Sequence, residues 1–479
     1  MLPLLLGLGA ASFVPMAPHA TSAVRLRRVA PLLASASVGS SAQPPAAAPP
    51  PAPPAQPISR GERLSVLAVL ASAFLNLLGF TMTIPITPAL KSHFSLQVGA
   101  SFGALTSAYP LGMMLGLTLW PSLSDRVGRR PVMSLSLLGN FVGLLLQSVA
   151  LLKRWPLPAL LALRVFTGSC SGSSPIAKAY LADVGAKSGN LPRYMAWRDA
   201  AATLAYLVGP TMGGLLYAAS GESLSVVVGA SAAGSLIASC LIAVLVTEDV
   251  SPTAQRDAKA GTSKAGAADD EIIACPLGAA LVTAVATVCV VSGLFSCGAS
   301  TFDSYFGVLA QDRFGMDTKM LGYTFTALSS VSFLVSTLVS TRVLRSLGTV
   351  TTCVVGLLAA GAGLLSIGAV TSTMTGVNSQ TQRLAFWASA LLYQIGSPLY
   401  NPSIPTMLLQ CVPPYRRGAI MGLDSAVNTI ARVASPVLLG LLYQAYGAGA
   451  CFFTAGGIVL TAALVATLRR LLVMYSMRD

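Results

Sequence analysis

Twelve apolar runs, each able to supply the ~20 residues that a helix needs to cross a bilayer, occupy the chain from Leu64 to Leu472. Their centres fall near Ala73, Met113, Val142, Gly172, Tyr206, Ala233, Val291, Ser332, Leu358, Ser397, Ala431 and Val459. Backbone inside hydrocarbon must satisfy its own hydrogen bonds, which runs of this length do as helices. The expected fold class is therefore all-α, a polytopic membrane protein. Composition agrees: 54% of the 479 residues are hydrophobic, 10% are charged and mean hydropathy is +0.71, whereas soluble domains carry about 25% charge. A soluble globular protein is excluded.

The longest polar interruption, residues 247–276, divides the twelve runs into six and six. The expected organisation is a leader and Pro/Ala-rich linker at 1–61, a six-helix bundle at 62–246, a cytoplasmic-type linker at 247–276, a second bundle at 277–472 and a tail at 473–479. Lys and Arg outnumber Asp and Glu, 30 to 16. Loops after even-numbered segments hold Arg126, Arg129, Arg130, Lys187, Arg193, Arg256, Lys259, Lys264, Arg342, Arg345, Arg416 and Arg417. The opposite loops hold Lys91, Lys153, Arg154, Arg313, Lys319 and Arg383. This asymmetry puts both mature termini and the linker on the positive-inside face, and it accounts for the basic excess without nucleic acid.

The leader has Arg25, Arg27, Arg28 and Arg60 but no acid. Its opening, Leu2 to Ala11, is similar to a signal-peptide core, and Ala11-Ser12-Phe13-Val14-Pro15 resembles the Phe-centred junction of two-part presequences that carry proteins into complex plastids. The acid-free stretch beyond it reads as a transit peptide; a disordered tail and a mitochondrial presequence are the other readings. The expected location is a plastid envelope or other plastid membrane.

A weak internal repeat supports the six-plus-six division. Gly209-Pro210-Thr211-Met212-Gly213-Gly214-Leu215-Leu216-Tyr217 returns as Ser435-Pro436-Val437-Leu438-Leu439-Gly440-Leu441-Leu442-Tyr443, an offset of 226, and Ser174-Pro175 has its counterpart in Asn401-Pro402. Duplicated bundles related by an axis along the membrane normal enclose a cavity near the midplane, a geometry suited to alternating access.

Between segments two and three stands Pro121-Ser122-Leu123-Ser124-Asp125-Arg126-Val127-Gly128-Arg129-Arg130-Pro131. It resembles the signature loop of the major facilitator superfamily, with Pro121 in place of the first glycine. A tight turn at Gly128 and pairing of the arginines with acids or helix C-termini are expected. The resemblance implies that Asp125, Arg126, Gly128, Arg129 and Arg130 form a conformational gate, with Arg126 or Arg129 on Asp183. The plainer reading is a basic anchor that fixes topology. The matching loop from Thr341 to Gly348 lacks the acid.

Segment five carries Ala205-Tyr206-Leu207-Val208-Gly209-Pro210-Thr211-Met212-Gly213-Gly214, similar to the signature of drug:proton antiporters. Ala205, Gly209 and Gly213 make a small-residue stripe, and with Pro210 and Gly214 they are expected to form a packed hinge. Segment one, with Asn76, Gly79, Pro85 and Pro88, resembles tetracycline-efflux proteins, which generally have an acid where Asn76 stands. Asn76 can hydrogen-bond a solute but cannot carry a proton.

Charges within apolar runs are functional candidates because burial is costly. Arg164 in segment four shares a four-residue spacing with Gly168 and Gly172, and it either faces a cavity or anchors at the interface. Asp303 in segment seven is the preferred coupling acid, being able to exchange a proton for a cation; the alternative is a solvated acid near the helix end. Asn428 and Arg432 in segment eleven should share a face. Lys178, Arg198 and Asp199 read as snorkelling groups near helix ends.

The eight cysteines show no paired spacing, and His19 and His93 are the only histidines. No metal, cofactor or catalytic group is expected; the energy source would be a proton gradient. The sequence thus predicts a monomeric secondary transporter in the lipid bilayer, exporting small organic solutes or drugs against protons. The alternative is a proton-independent facilitator or symporter of a plastid metabolite. A membrane enzyme or receptor is disfavoured, because the spans contain no nucleotide loop or His-bearing site.

Overall fold

A computed structural model describes residues 60–247, 279–373, 379–411 and 417–475. The leader up to residue 59, the linker from 248 to 276 and the tail from 476 lie outside the described residues. The N-terminal half contains α1 (Arg60–Met82), the short α2 (Thr87–His93), α3 (Ala100–Val127), α4 (Arg129–Leu152), α5 (Leu157–Ser169), α6 (Ser173–Ser188), α7 (Leu191–Ala219) and α8 (Leu224–Leu245). The C-terminal half contains α9 (Ala279–Phe314), α10 (Thr318–Leu334), a π-helical turn at Val335–Ser340, α11 (Thr341–Leu347), α12 (Thr349–Thr373), α13 (Ser379–Tyr400), α14 (Ser403–Cys411) and α15 (Arg417–Tyr475).

Among the described residues nine helices are long and apolar enough to cross a membrane unaided. The last of these turns at Gly447, φ 86° and ψ 176°, and so supplies two crossings. Two further crossings are broken, α5 with α6 and α13 with α14. The expected set of twelve is thereby accounted for. Large apolar side chains remain exposed along the helices, for instance Leu119, Leu135, Ile237, Val244 and Leu438, as lipid-facing surface requires.

The fourth segment departs from the expected continuous helix. It opens at residues 170–172, so Gly172 does not extend the face begun by Arg164 and Gly168. The break precedes Ser174-Pro175, and the corresponding break precedes and includes Pro402, so both interruptions sit at the repeated Pro pairs. Proline removes an N–H and disfavours helix just before it. Carbonyls freed within the membrane need donors. Trp120 Nε1 donates to the Ser169 carbonyl at 2.6 Å, and Ser136 Oγ donates to that of Cys170 at 2.6 Å.

Close approach of backbones joins the helices. A methyl group on Gly168 would collide with the Tyr109 carbonyl, which brings α5 directly onto α3. The longer repeat builds two matching seams between the halves. In one, Gly214 on α7 meets Thr318 and Lys319, and the Pro210 carbonyl meets Gly322 on α10. In the other, the Pro436 carbonyl meets Gly103, and Gly440 on α15 meets Gly99 beside α3. Thr211 donates to Thr326 at 2.7 Å within the first seam, while Phe102 packs on Tyr305 across the halves, ring centroids 5.7 Å apart. These contacts and the Lys91–Asp312 ion pair all lie towards the end opposite the 125–130 loop.

Candidate functional site

α9 sets the centre of the site. Phe302 stacks on Phe306 and on Tyr393, at 4.5 and 4.3 Å, and Phe306 stacks on Phe386 at 5.0 Å. Such aromatic packing fixes the rotation of α9 against α13. Phe302 and Tyr305 are fully buried, yet Asp303 between them is exposed. Asp303 lies eleven residues before the helix end at Phe314, about 16 Å at 1.5 Å per residue. Its carboxylate therefore opens onto space inside the protein, away from the helix end.

Arg432 on α15 reaches the same space and is also exposed. Asp303 and Arg432 lie within electrostatic reach of each other, yet they do not form one of the ion pairs of 4.0 Å or less among the described residues. Tyr206 of α7 and Tyr393 of α13 feel both charges, and Tyr109 of α3 feels Arg432. The space is thus bordered from both halves. Tyr109 Oη shares a 2.7 Å hydrogen bond with Ser171 Oγ, which links it to the break in the fourth crossing.

The other predicted polar groups are held elsewhere. Asn76 accepts from Asn140 Nδ2 at 2.9 Å and donates to Ser173 Oγ at 3.4 Å; Asn140 also donates to Ser235 at 3.1 Å. These bonds join α1, α4, α6 and α8. Arg164 donates to the Leu105 carbonyl at 3.1 Å, and its Nε is buried without a partner. Asn428 Oδ1 accepts from Ser292 and Ser296, at 2.9 and 2.7 Å, and its Nδ2 donates to Asp424 at 3.0 Å. Asn428 therefore engages α9, whereas Arg432 one turn later serves the central space.

The 125–130 loop braces the N-terminal half. Gly128 has φ 113°, a conformation that L side chains rarely adopt, and it turns α3 into α4. Arg129 Nε donates to Asp183 Oδ2 at 2.6 Å. Arg130 donates to the Ala243 carbonyl near the end of α8, where a cation meets the negative end of the helix dipole. Asp125 and Arg126 are exposed at the end of α3. In α7, Gly209 and Gly213 leave no room for a side chain against Thr81 and Met82 of α1, and Thr81 Oγ1 donates to the Ala205 carbonyl at 3.0 Å.

Residues 69–379 match the family model described as Major Facilitator Superfamily. The chain belongs to the major facilitator superfamily. This superfamily member is an integral multi-pass membrane protein and a transporter, not an enzyme. It is 24% identical over 383 residues to the class E tetracycline resistance protein of Escherichia coli, covering 80% of this chain and 88% of that one. It is likewise 24% identical to solute carrier family 22 member 18 of Mus musculus, covering 78% and 88%. Among solved structures, the human organic anion transporter MFSD10 superposes with a TM-score of 0.61 at 21% identity, covering 85% of this chain and all of that one. A D-xylose-proton symporter gives 0.66 at 16%, covering 84% and 96%. At these identities the structures support the fold alone.

Tyr109, Tyr393 and Asn140 are not among the candidates that the sequence offers, and Arg198 reads there as a snorkelling group. Arg198 instead has a side chain only 15% exposed and lines an internal cavity with Asn76, Ser173, Ser174 and Tyr206. Asn140 carried a usable signal, an amide within an apolar run. The tyrosines carried none, since an aromatic ring fits lipid, core and cavity equally well.

Proposed function

We propose that this transporter exports a small organic solute in exchange for protons, with Asp303 as the acid for which solute and proton compete. The observation that carries this reading is the placement of Asp303 and Arg432 in one space bordered by both halves, without an ion pair between them. A carboxylate left free of its neighbouring cation can take up a proton or a cationic solute group, and two halves that share the space can deliver either to opposite faces. The similarity to a tetracycline resistance protein supports export. With the basic face inside, the packed seams support an inward-facing state. In this state the 125–130 loop braces α4, α6 and α8, and we propose that its contacts help to hold that state.

The test reconstitutes the full chain in vesicles containing a pH dye, imposes a proton gradient and adds tetracyclines, organic cations and plastid metabolites. Solute-dependent proton movement that disappears in Asp303→Asn is expected. Solute crossing while the dye stays silent would overturn proton coupling and favour a facilitator, the second reading, to which Asn76 lends weight because its amide cannot titrate. The leader's composition supports a plastid membrane as the destination, which a fluorescent fusion to residues 1–61 would test.

A further inference from the structure

The break in the fourth crossing leaves a cavity of about 270 Å³ between α1, α6 and α7. Its polar lining is Ser72, Asn76, Ser173, Ser174, Arg198 and Tyr206. Arg198 Nη2 donates to Ser174 Oγ at 2.9 Å and Nη1 to Asp199 Oδ1 at 3.1 Å, which leaves Nε buried with no partner. Lys178 feels both Arg198 and Asp199, so two cations stand against one acid, and the side chain of that acid is 72% exposed. Ser173 and Ser174 begin α6, a 16-residue helix whose first turn has no side-chain cap. The N–H groups of that first turn add positive potential.

We infer that this cavity is a subsite for the anionic group of the transported solute, a carboxylate or its equivalent, with Arg198 as the principal donor and Ser174 beside it. A guanidinium offers five N–H donors in a planar fork suited to such a group. The cavity falls below the ~300–1,000 Å³ of pockets that enclose whole ligands, so it takes one end of the molecule. Tyr206 lines the cavity and also lies within electrostatic reach of Asp303 and Arg432, which sets the cavity beside the central space. The solute class is therefore amphoteric: an organic molecule whose cationic end answers Asp303 and whose anionic end answers Arg198. This rests on the central space being the solute path.

The test measures binding to the purified full chain by fluorescence polarisation, using a zwitterionic xanthene dye with a free carboxylate and its methyl ester. The carboxylate dye should bind at least about tenfold more tightly than the ester, roughly what one charge-assisted contact contributes. Arg198→Gln should reduce it to the level of the ester without changing the ester, and Ser174→Ala, a milder change, should narrow the gap in the same direction. Asp303→Asn should weaken both dyes and leave the gap. Equal binding of the two dyes to the unaltered protein, or a gap that survives both cavity variants, overturns the subsite. Displacement of the carboxylate dye by added phosphatidylglycerol would assign the cavity to a lipid headgroup and overturn the solute assignment. No proton gradient enters this measurement, so failure of proton coupling at Asp303 would be seen separately in the vesicle assay.

Discussion

Lys91 Nζ on α2 lies 2.6 Å from Asp312 Oδ2 near the end of α9, an ion pair that clasps the N-terminal half to the C-terminal half at the closed end. Lys91 is largely buried and Asp312 half-exposed, and pairs of this kind contribute about 0.2–1 kcal/mol. Asp312→Asn should shift the population of the closed end about 1.4- to 5-fold towards opening. Labelling of a cysteine introduced as Gln444→Cys, which sits against Gly99 in the seam, would report the shift; unchanged labelling at low salt would count against the clasp.

The two seams make a paired prediction. Gly214→Val and Gly103→Val each force a side chain into backbone of the opposite half, and overpacking of this kind costs about 1–3 kcal/mol. Both should depopulate the closed end about 5- to 150-fold and slow transport, while the protein still inserts. Gly457→Ala, with nothing within 4 Å of the added carbon, should behave as the unaltered protein.

Asn428 and Arg432 lie one turn apart but should fail differently. Asn428→Ala takes one hydrogen-bond partner from each of Ser292, Ser296 and Asp424, and should lower stability in detergent by about 1–3 kcal/mol. Arg432→Gln faces the central space, and should leave the melting temperature close to that of the unaltered protein while transport is lost. Equal losses of stability would argue against the separation of roles.

His93 lies outside the membrane spans, at the end of α2. Partial burial, and then the charge of Arg154, hold its pKa below the ordinary 6.5. The folded protein therefore binds a proton there less readily than the unfolded chain does, so this residue's contribution falls as pH drops through and below about 6.5. Melting temperature measured from pH 7.5 down to about 5 should decline less in His93→Gln; parallel curves for the two proteins would refute the assignment.

The twelve crossings were legible because lipid leaves the backbone few options, and the repeat at Pro210 and Pro436 was visible as a string of residues. Charges such as Asp303, Arg164 and Arg432 also stood out against apolar surroundings. What could not be read was rotation and partnership. That Asn76 both meets Asn140 and lines the cavity depends on how α1 packs against α4 and α6. Arg198 reads as peripheral from its place near the start of α7, yet its Nη2 meets Ser174 just beyond the interruption at residues 170–172. Helical periodicity carries no mark of such a break until two chain segments are set side by side.

That break has one more consequence. The indole that covers the freed Ser169 carbonyl belongs to Trp120, one of four tryptophans in the chain. Any rearrangement that closes or widens the interruption must lengthen or release this bond, and an indole that loses an N–H partner changes its emission. The protein thus carries a built-in optical reporter at the joint, and with the remaining three tryptophans replaced by phenylalanine its movements could be followed by light, with no label added.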